Sequence, residues 1–174
     1  MPLYLIRHTR VAAPPGLCYG HLDVALADTF TNEAQQVRAA LPAVLPPVWS
    51  SPSLRCRQLA ETLAPSVQLD ARLKELSFGD WEGQTWSELD SPEARHWGNH
   101  WQTARPPGGE TLTELVERVD TFLQELPAGD QVIVAHAGSI RVLLHWLTGL
   151  SLEAAFQRPI GYGEVIPVAR PAEI

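Results

Sequence analysis

Two short apolar runs in this sequence each end on a histidine. Leu3, Tyr4, Leu5 and Ile6 lead into Arg7, His8 and Thr9, and Val132, Ile133, Val134 and Ala135 lead into His136. A neutral imidazole nitrogen is a competent nucleophile near neutral pH, and a hydrogen bond to a carbonyl fixes which ring nitrogen is free to react. His8, directly preceded by an arginine, is therefore a candidate to attack phosphorus and become phosphohistidine. The non-bridging oxygens of a phosphoryl group need cations. The planar forks of Arg7 and Arg55 suit them, and His136 adds a donor. A well-placed donor for developing charge is worth about 3 kcal/mol. The leaving oxygen also needs a proton, and a carboxylic acid in a desolvated pocket supplies one at a gain of about 10²- to 10⁴-fold.

Each of these residues also has a plainer reading. A single histidine after a strand is more often structural than catalytic; two of them, one behind an arginine, shift the balance. Arg57, two positions from Arg55, faces elsewhere on a helix and reads as a surface residue. His96 and His100 have the i, i+4 spacing of a metal pair, but no HExxH frame surrounds them and Gly98 weakens the helix, so a solvated or packing role is expected. His21, after the Gly20 turn, is placed at the pocket wall, and His145, on an apolar helix, reads as a core histidine. The tryptophans at 81, 86, 97 and 101 read as local packing. Other reaction classes lack their motifs. Neither Cys18 nor Cys56 starts a CX5R loop, because Val24 and Thr62 stand at the arginine position. There is no GxGxxG after the first strand and no GxSxG.

The elements that must position these groups alternate. Leu3–Ile6, a strand ending at Val48 and Trp49, Val67–Leu69 and Val132–Ala135 read as strands. Residues 11 to 30 read as a loop punctuated by Pro14, Pro15, Gly16 and Gly20. A helix is expected from Thr31, with Thr31 or Asn32 as cap, until Pro42 interrupts it. A second helix carries Arg55, with Ser50 or Ser51 as cap and Pro52 in its first turn. Residues 78 to 109, rich in Gly, Pro and Trp, read as an excursion with short helices of its own. Leu112, Leu115, Val116, Val119, Phe122 and Leu123 form one stripe of an amphipathic helix over 111–126. A mostly apolar helix follows His136 and closes at Gly149. Strands alternating with helices predict an α/β fold, three layers deep (α/β/α), with a largely parallel central sheet. Ligands of such sheets sit beyond the carboxyl ends of the strands, where His8, Arg55 and His136 are all delivered.

The 174 residues fit a single domain large enough to bury a core without disulfides, and 45% are hydrophobic. A net charge of -7 argues against nucleic acid as a partner, since such proteins usually present a broad basic surface. An anionic ligand must then be held by a local arginine cluster. The two cysteines form no CxxC pair and suit reduced thiols. The apolar run before Arg7 is too short for a signal peptide and no segment is long enough to span a bilayer, so no membrane partner and a cytoplasmic location are expected.

The ordered segments "LIRH", "SSPSLRCRQLAETL", "LKELSFGDWEG", "PGGET" and "VAHAGSIR" resemble the histidine phosphatase superfamily, branch 1, whose fold is phosphoglycerate mutase-like. The resemblance covers nearly the whole chain. It implies that His8 is the phosphorylated nucleophile, that Arg7, Arg55 and His136 form the phosphate pocket, and that Glu75 donates a proton to the leaving group and then activates water. It implies neither metal nor other cofactor. The sequence departs from the family pattern where Thr9 replaces the glycine after the Arg-His pair, where "VAAPPG" replaces an asparagine loop, and where Leu59 replaces a threonine.

The stretch "IRHTRVAAPPGLCYGHLDVALADTF" resembles one subgroup, the α-ribazole phosphatases of cobalamin nucleotide-loop assembly. That resemblance implies removal of the 5′-phosphate from α-ribazole 5′-phosphate or its cobamide form, a small phosphorylated metabolite. Thr9, Cys18, Tyr19 and His21 then join Arg7, Arg55 and His136 as expected substrate contacts, with loop packing as the plainer role of Cys18 and Tyr19. A broad phosphomonoesterase on the same machinery is the nearest alternative. A phosphoglycerate mutase is disfavoured because the region between Glu75 and Glu110 lacks paired basic residues for a second acidic group. A non-catalytic phosphate-binding module is disfavoured by the presence of both His8 and Glu75. Glu110 either orders the pocket or caps the helix that follows, and capping is the simpler expectation.

Overall fold

A computed structural model of the chain describes residues 1–171. Its strands are β1 (Pro2–Arg7), β2 (Val48–Ser50), β3 (Val67–Leu69), β4 (Gln131–Ala135) and β5 (Val165–Ala169), joined in one sheet in the order β3-β2-β4-β1-β5. The first four are mutually parallel, and β5 runs antiparallel along the outer edge of β1. The sequence reading lacks β5, because Pro167 interrupts it. On an edge strand the missing N–H of proline costs no ladder bond.

Side chains alternate across a strand, so each strand feeds both faces of the sheet. Leu3, Leu5, Ile133 and Ala135 face a layer made of α4 (Leu112–Glu125), α5 (Ala137–Thr148) and α6 (Leu152–Gln157). Ile6, Val48, Val132 and Val134 face the opposite layer, made of α1 (Phe30–Ala39) and α2 (Leu54–Leu63). The result is the three-layer α/β/α arrangement expected from the sequence. Full burial of β4 on both faces explains its unbroken apolar run.

Helix starts differ from expectation in three places. α1 begins at Phe30 behind Thr29, whose hydroxyl bonds Glu33, so Thr31 and Asn32 lie inside the helix. α2 begins at Leu54 behind Ser53, which leaves Pro52 outside. Ser50 belongs to β2, and the Ser51 N–H extends the ladder by donating to Val134 O; the chain therefore turns later than the serines and proline imply. α4 is capped by Thr111, which forms a reciprocal capping box with Glu114, so the carboxylate of Glu110 is not the cap. Its stripe packs as read, with Leu112, Leu115, Val119, Phe122 and Leu123 buried. His145 is a further correction. Leu143, Leu144 and Leu147 fill the core face of α5, while His145 turns off it and its Nδ1 meets Leu150 O beyond the helix end.

Between β3 and α4 the chain leaves the sheet, forming 3₁₀ turns at Ala71–Leu73 and Gly79–Trp81 and a short helix, α3 (Pro92–Asn99). Its aromatic side chains pack on one another, Trp86 stacking on Trp97 at 5.7 Å with Phe78 and Trp81 edge-on. Trp101 reaches back to Phe156, with ring centroids 5.2 Å apart. The His96 and His100 rings stack on each other, and no cluster of metal-ligating side chains occurs among the described residues. Arg57 pairs with Glu61 on the α2 surface. No helix among the described residues is long and apolar enough to cross a membrane.

The capping assignment is directly testable. Thr111→Ala should destabilise the protein by about 1 kcal/mol, read as a lower urea midpoint at unchanged slope. An unchanged midpoint contradicts the assignment.

Candidate active site

The sheet order answers how distant histidines meet: β2, β4 and β1 are consecutive neighbours. Arg7 stands in register with Ala135, and Ser50 with Val134, so all three strands end at one level. One residue further on, His8 donates its backbone N–H to Ala135 O, and the His8 and His136 rings face each other with centroids 5.3 Å apart.

His8 is buried, and its Nδ1 lies 2.8 Å from the carbonyl oxygen of Thr9. A carbonyl only accepts, so the Nδ1 proton points at Thr9 and Nε2 carries the free lone pair. Burial, then the Arg55 charge and, more weakly, Arg7 lower the His8 pKa to about 3, against the Thr9 hydrogen bond, which favours the protonated form. The ring is therefore neutral and nucleophilic at ordinary pH. The unfolded chain takes up a proton that the folded chain refuses, so His8 contributes stability that is lost as pH falls from 6.5 towards about 3.

Arg55 is fully buried on α2, with Nη1 donating to Leu22 O and Nη2 to Gly20 O. Arg7 donates through Nη1 to Ile160 O. Each guanidinium also lies on a tyrosine ring, Arg7 on Tyr162 at 3.9 Å and Arg55 on Tyr19 at 5.0 Å, and the two tyrosine hydroxyls are 3.1 Å apart. Burial, followed by the Tyr162 contact, pushes the Tyr19 phenol upward, so it stays protonated. The Nε groups of both arginines are buried without a protein partner among the described residues. Neither arginine forms an ion pair there.

His136 is buried at the start of α5, its Nε2 2.9 Å from Ser51 Oγ and 3.4 Å from Cys56 Sγ. Burial, then the Arg55 and His8 charges, hold it well below its ordinary pKa. Glu75 sits just across the α5 N-terminus. Its Oε2 accepts from Gly138 N and its Oε1 from Leu76 N. A Cβ on Gly138 would overlap the Glu75 carboxylate, so the glycine is what lets that side chain approach the helix.

The other sequence-predicted contacts divide. Tyr19 belongs to the arginine frame. Thr9 is buried, holds His8 through its carbonyl, and keeps a hydroxyl without a protein partner among the described residues. His21 tethers Glu75, its Nε2 lying 2.9 Å from Glu75 O. Cys18 is fully buried and pairs through its backbone with Gly83 and Gln84; burial and Glu82 raise its thiol to about 12. Cys56 is the second free, buried thiol. The segment 19–23 thus acts as a strap: two of its carbonyls hold Arg55, His21 holds Glu75, and Asp23 accepts from Leu54 N at the head of α2. The sequence reading missed Tyr162, 40% exposed in "GYGE" and 5.6 Å from the His8 ring. The glycines flanking it mark the turn, but no motif ties it to Arg7.

With this geometry in place, the comparisons are specific. The histidine phosphatase superfamily (branch 1) matches residues 3–170, and the chain belongs to that family. The adenosylcobalamin/alpha-ribazole phosphatase of Escherichia coli (strain K12) is 30% identical over 94% of this chain and 87% of its own length. The crystal structure of the alpha-ribazole phosphatase from Shigella flexneri superposes with a TM-score of 0.90 at 26% identity, covering 99% of this chain and 92% of that one. That of a phosphoglycerate mutase from Thermus thermophilus superposes with a TM-score of 0.79 at 32% identity, covering 98% and 94%. The fold is accordingly phosphoglycerate mutase-like.

In phosphate-free buffer, nitrogen NMR of the His8 ring should show a neutral imidazole protonated at Nδ1, with no titration between roughly pH 5 and 8. A midpoint near 6.5 contradicts the electrostatic description.

Proposed function

We propose that the chain is a phosphomonoesterase that works through a phosphohistidine at His8 and acts on α-ribazole 5′-phosphate or its cobamide form. The observation that carries the chemistry is a buried neutral nucleophile beside two arginines whose Nε–H groups have no protein partner among the described residues. Buried donors left unpaired are costly, and a tetrahedral dianion is the ligand that pairs several at once.

The first step forms a bond between His8 Nε2 and phosphorus and breaks the bond from phosphorus to the alcohol oxygen. That oxygen takes a proton from Glu75, while the Thr9 carbonyl holds the Nδ1 proton of the now cationic ring. In the second step water attacks phosphorus and gives its proton to the Glu75 carboxylate. The N–P electron pair returns to His8. Arg7, Arg55 and His136 hold the phosphoryl oxygens throughout, so side chains serve every step.

Three features support the substrate. Relatives bearing the α-ribazole phosphatase name match over most of their length. The strap at 19–23, which carries the sequence resemblance to that subgroup, is built into the site. A cavity of about 170 Å³ adjoins Glu75 and Gly138, lined by Phe78, Trp97, Trp101 and Phe156 with Arg141 beside them. Such an apolar slot with few polar groups suits a flat aromatic base on the leaving alcohol. The two arginines of the excursion, Arg95 and Arg105, are engaged by Asp90 and Glu114, which speaks against a second acidic group and hence against a mutase. We place the reaction on a small metabolite in the cytoplasm, and the net charge of -7 argues against nucleic acid as the partner.

The test is steady-state phosphate release, without added metal, from α-ribazole 5′-phosphate, p-nitrophenyl phosphate, 3-phosphoglycerate and sugar phosphates. The expected result is a strong preference for α-ribazole 5′-phosphate, abolished in His8→Ala and weakened about tenfold or more in Trp101→Ala with little change for p-nitrophenyl phosphate. Comparable rates across the panel sink the substrate assignment and leave a broad phosphatase.

A further inference from the structure

The segment that carries Glu75 has little structure of its own. Between β3 and the excursion it forms one 3₁₀ turn, Ala71–Leu73, and then runs irregularly through Lys74, Glu75, Leu76 and Ser77. A proton donor needs its position fixed to within a fraction of an ångström, and an irregular segment does not provide that by itself. Three of its backbone carbonyls find a partner in one side chain, Arg118 of α4.

Nη1 of Arg118 donates to Arg72 O at 2.6 Å and to Lys74 O at 2.8 Å. Nη2 donates to Glu75 O at 2.9 Å and to Glu110 Oε2 at 2.8 Å, and Nε donates to Glu110 Oε1 at 2.6 Å. A guanidinium has five N–H donors, and here all of them are engaged. Glu110 accepts in addition from Ser77 N, on the far side of Glu75. The segment is thus gripped on both sides of Glu75. The pair is largely shielded, with side-chain exposures of 19% for Arg118 and 15% for Glu110. The fork springs from a rigid base, because α4 is capped by Thr111 and packs Leu115, Val119 and Phe122 into the core. Other contacts complete the hold, His21 on the Glu75 carbonyl and Gly138 on its carboxylate.

We propose that Arg118 and Glu110 are positioning residues for the proton transfer: together they fix the backbone of Glu75 so that its carboxyl meets the leaving oxygen. Neither touches His8 or the phosphate-binding arginines. The inference rests on the reading of Glu75 as proton donor, and it gives "PGGET" a use other than helix capping. A lysine at 118 keeps the charge but loses the planar fork, so it cannot grip three carbonyls and a bidentate carboxylate together. Glutamine at 110 keeps the shape, removes the charge, and turns a donor toward the guanidinium or Ser77.

A staple that served stability alone would slow all substrates alike, whereas misplacing a proton donor harms only leaving groups that need a proton. The experiment is rapid-quench measurement of phosphoenzyme formation from ribose 5-phosphate, whose alkoxide must be protonated, and from p-nitrophenyl phosphate, whose phenolate leaves unaided. Arg118→Lys and Glu110→Gln should lose on the order of 10²-fold with ribose 5-phosphate while little changes with p-nitrophenyl phosphate. Glu75→Gln should show the same bias, more strongly. Glu114→Ala, which removes the neighbouring cap and the Arg105 ion pair, should leave the ratio of the two rates unchanged. Equal losses on both esters, or no loss, in Arg118→Lys and Glu110→Gln while Glu75→Gln keeps its bias overturn this inference alone. Absence of bias in Glu75→Gln overturns the proton-donor reading and this inference with it. Should Arg118→Lys fail to fold, Glu110→Gln decides.

Discussion

Two buried or half-buried guanidinium groups stand beside a neutral histidine with no carboxylate among the described residues to neutralise them, and the rest of the site follows from that constraint. Taking an arginine out of water costs several kcal/mol unless its charge and donors are met. In most proteins an aspartate or glutamate meets them. Here backbone carbonyls and tyrosine faces do: Gly20, Leu22 and Tyr19 for Arg55, Ile160 and Tyr162 for Arg7. Carbonyls and π faces hold a cation in place while leaving its positive charge available to an incoming anion. They also keep His8 neutral. A carboxylate in their place would compete with phosphate and draw a proton onto the imidazole, whereas burial and the arginine charges lower the His8 pKa to about 3.

This explains why loops, rather than sheet or helix, surround the site. The strap at 19–23 and the turn at 160–164 are the segments that aim carbonyls inward, and each is itself tied down. Gly163 N–H is shared between the carbonyls of Arg7 and His8, and Glu164 O accepts from Arg7 N. At the strap, Glu82 accepts from the N–H groups of His21 and Leu22, and Gly20 lies so close to Leu76 O that any Cβ would overlap it. Arg10, which could have reached an anion from the first loop, is instead paired with Glu33. The excursion follows the same logic at a larger scale, since the aromatic contacts of its four tryptophans stabilise a long detour that ends beside Glu75.

Much of this was legible in the residues. The α/β alternation, the two histidine strands and the amphipathic stripe of α4 follow from apolar periodicity, because burial imposes it. The adjacency of β2, β4 and β1 was not legible, since nothing local in Val48 and Trp49 says which strand lies beside them. Helix caps were misplaced where tertiary contacts prevailed, as at Ser50 and Ser51, which the sheet retains. Tyr162 and Arg118 were missed for one shared reason: each works through contacts with residues far along the chain, 43 positions or more away for the grip of Arg118 on the Glu75 segment and for the Tyr162 stack on Arg7. Such partners leave no periodicity and no motif spacing.

The central claim is that His8 itself carries the phosphoryl group. The most direct measurement mixes enzyme with a phosphomonoester substrate, quenches in alkali, where phosphohistidine survives, and maps the adduct by peptide mass spectrometry and phosphorus NMR. The account predicts a single adduct on His8 Nε2, formed and consumed at rates compatible with turnover, with Nδ1 unmodified because its proton is held by Thr9. Turnover without any such adduct, or an adduct on His136 or on Nδ1 of His8, contradicts it.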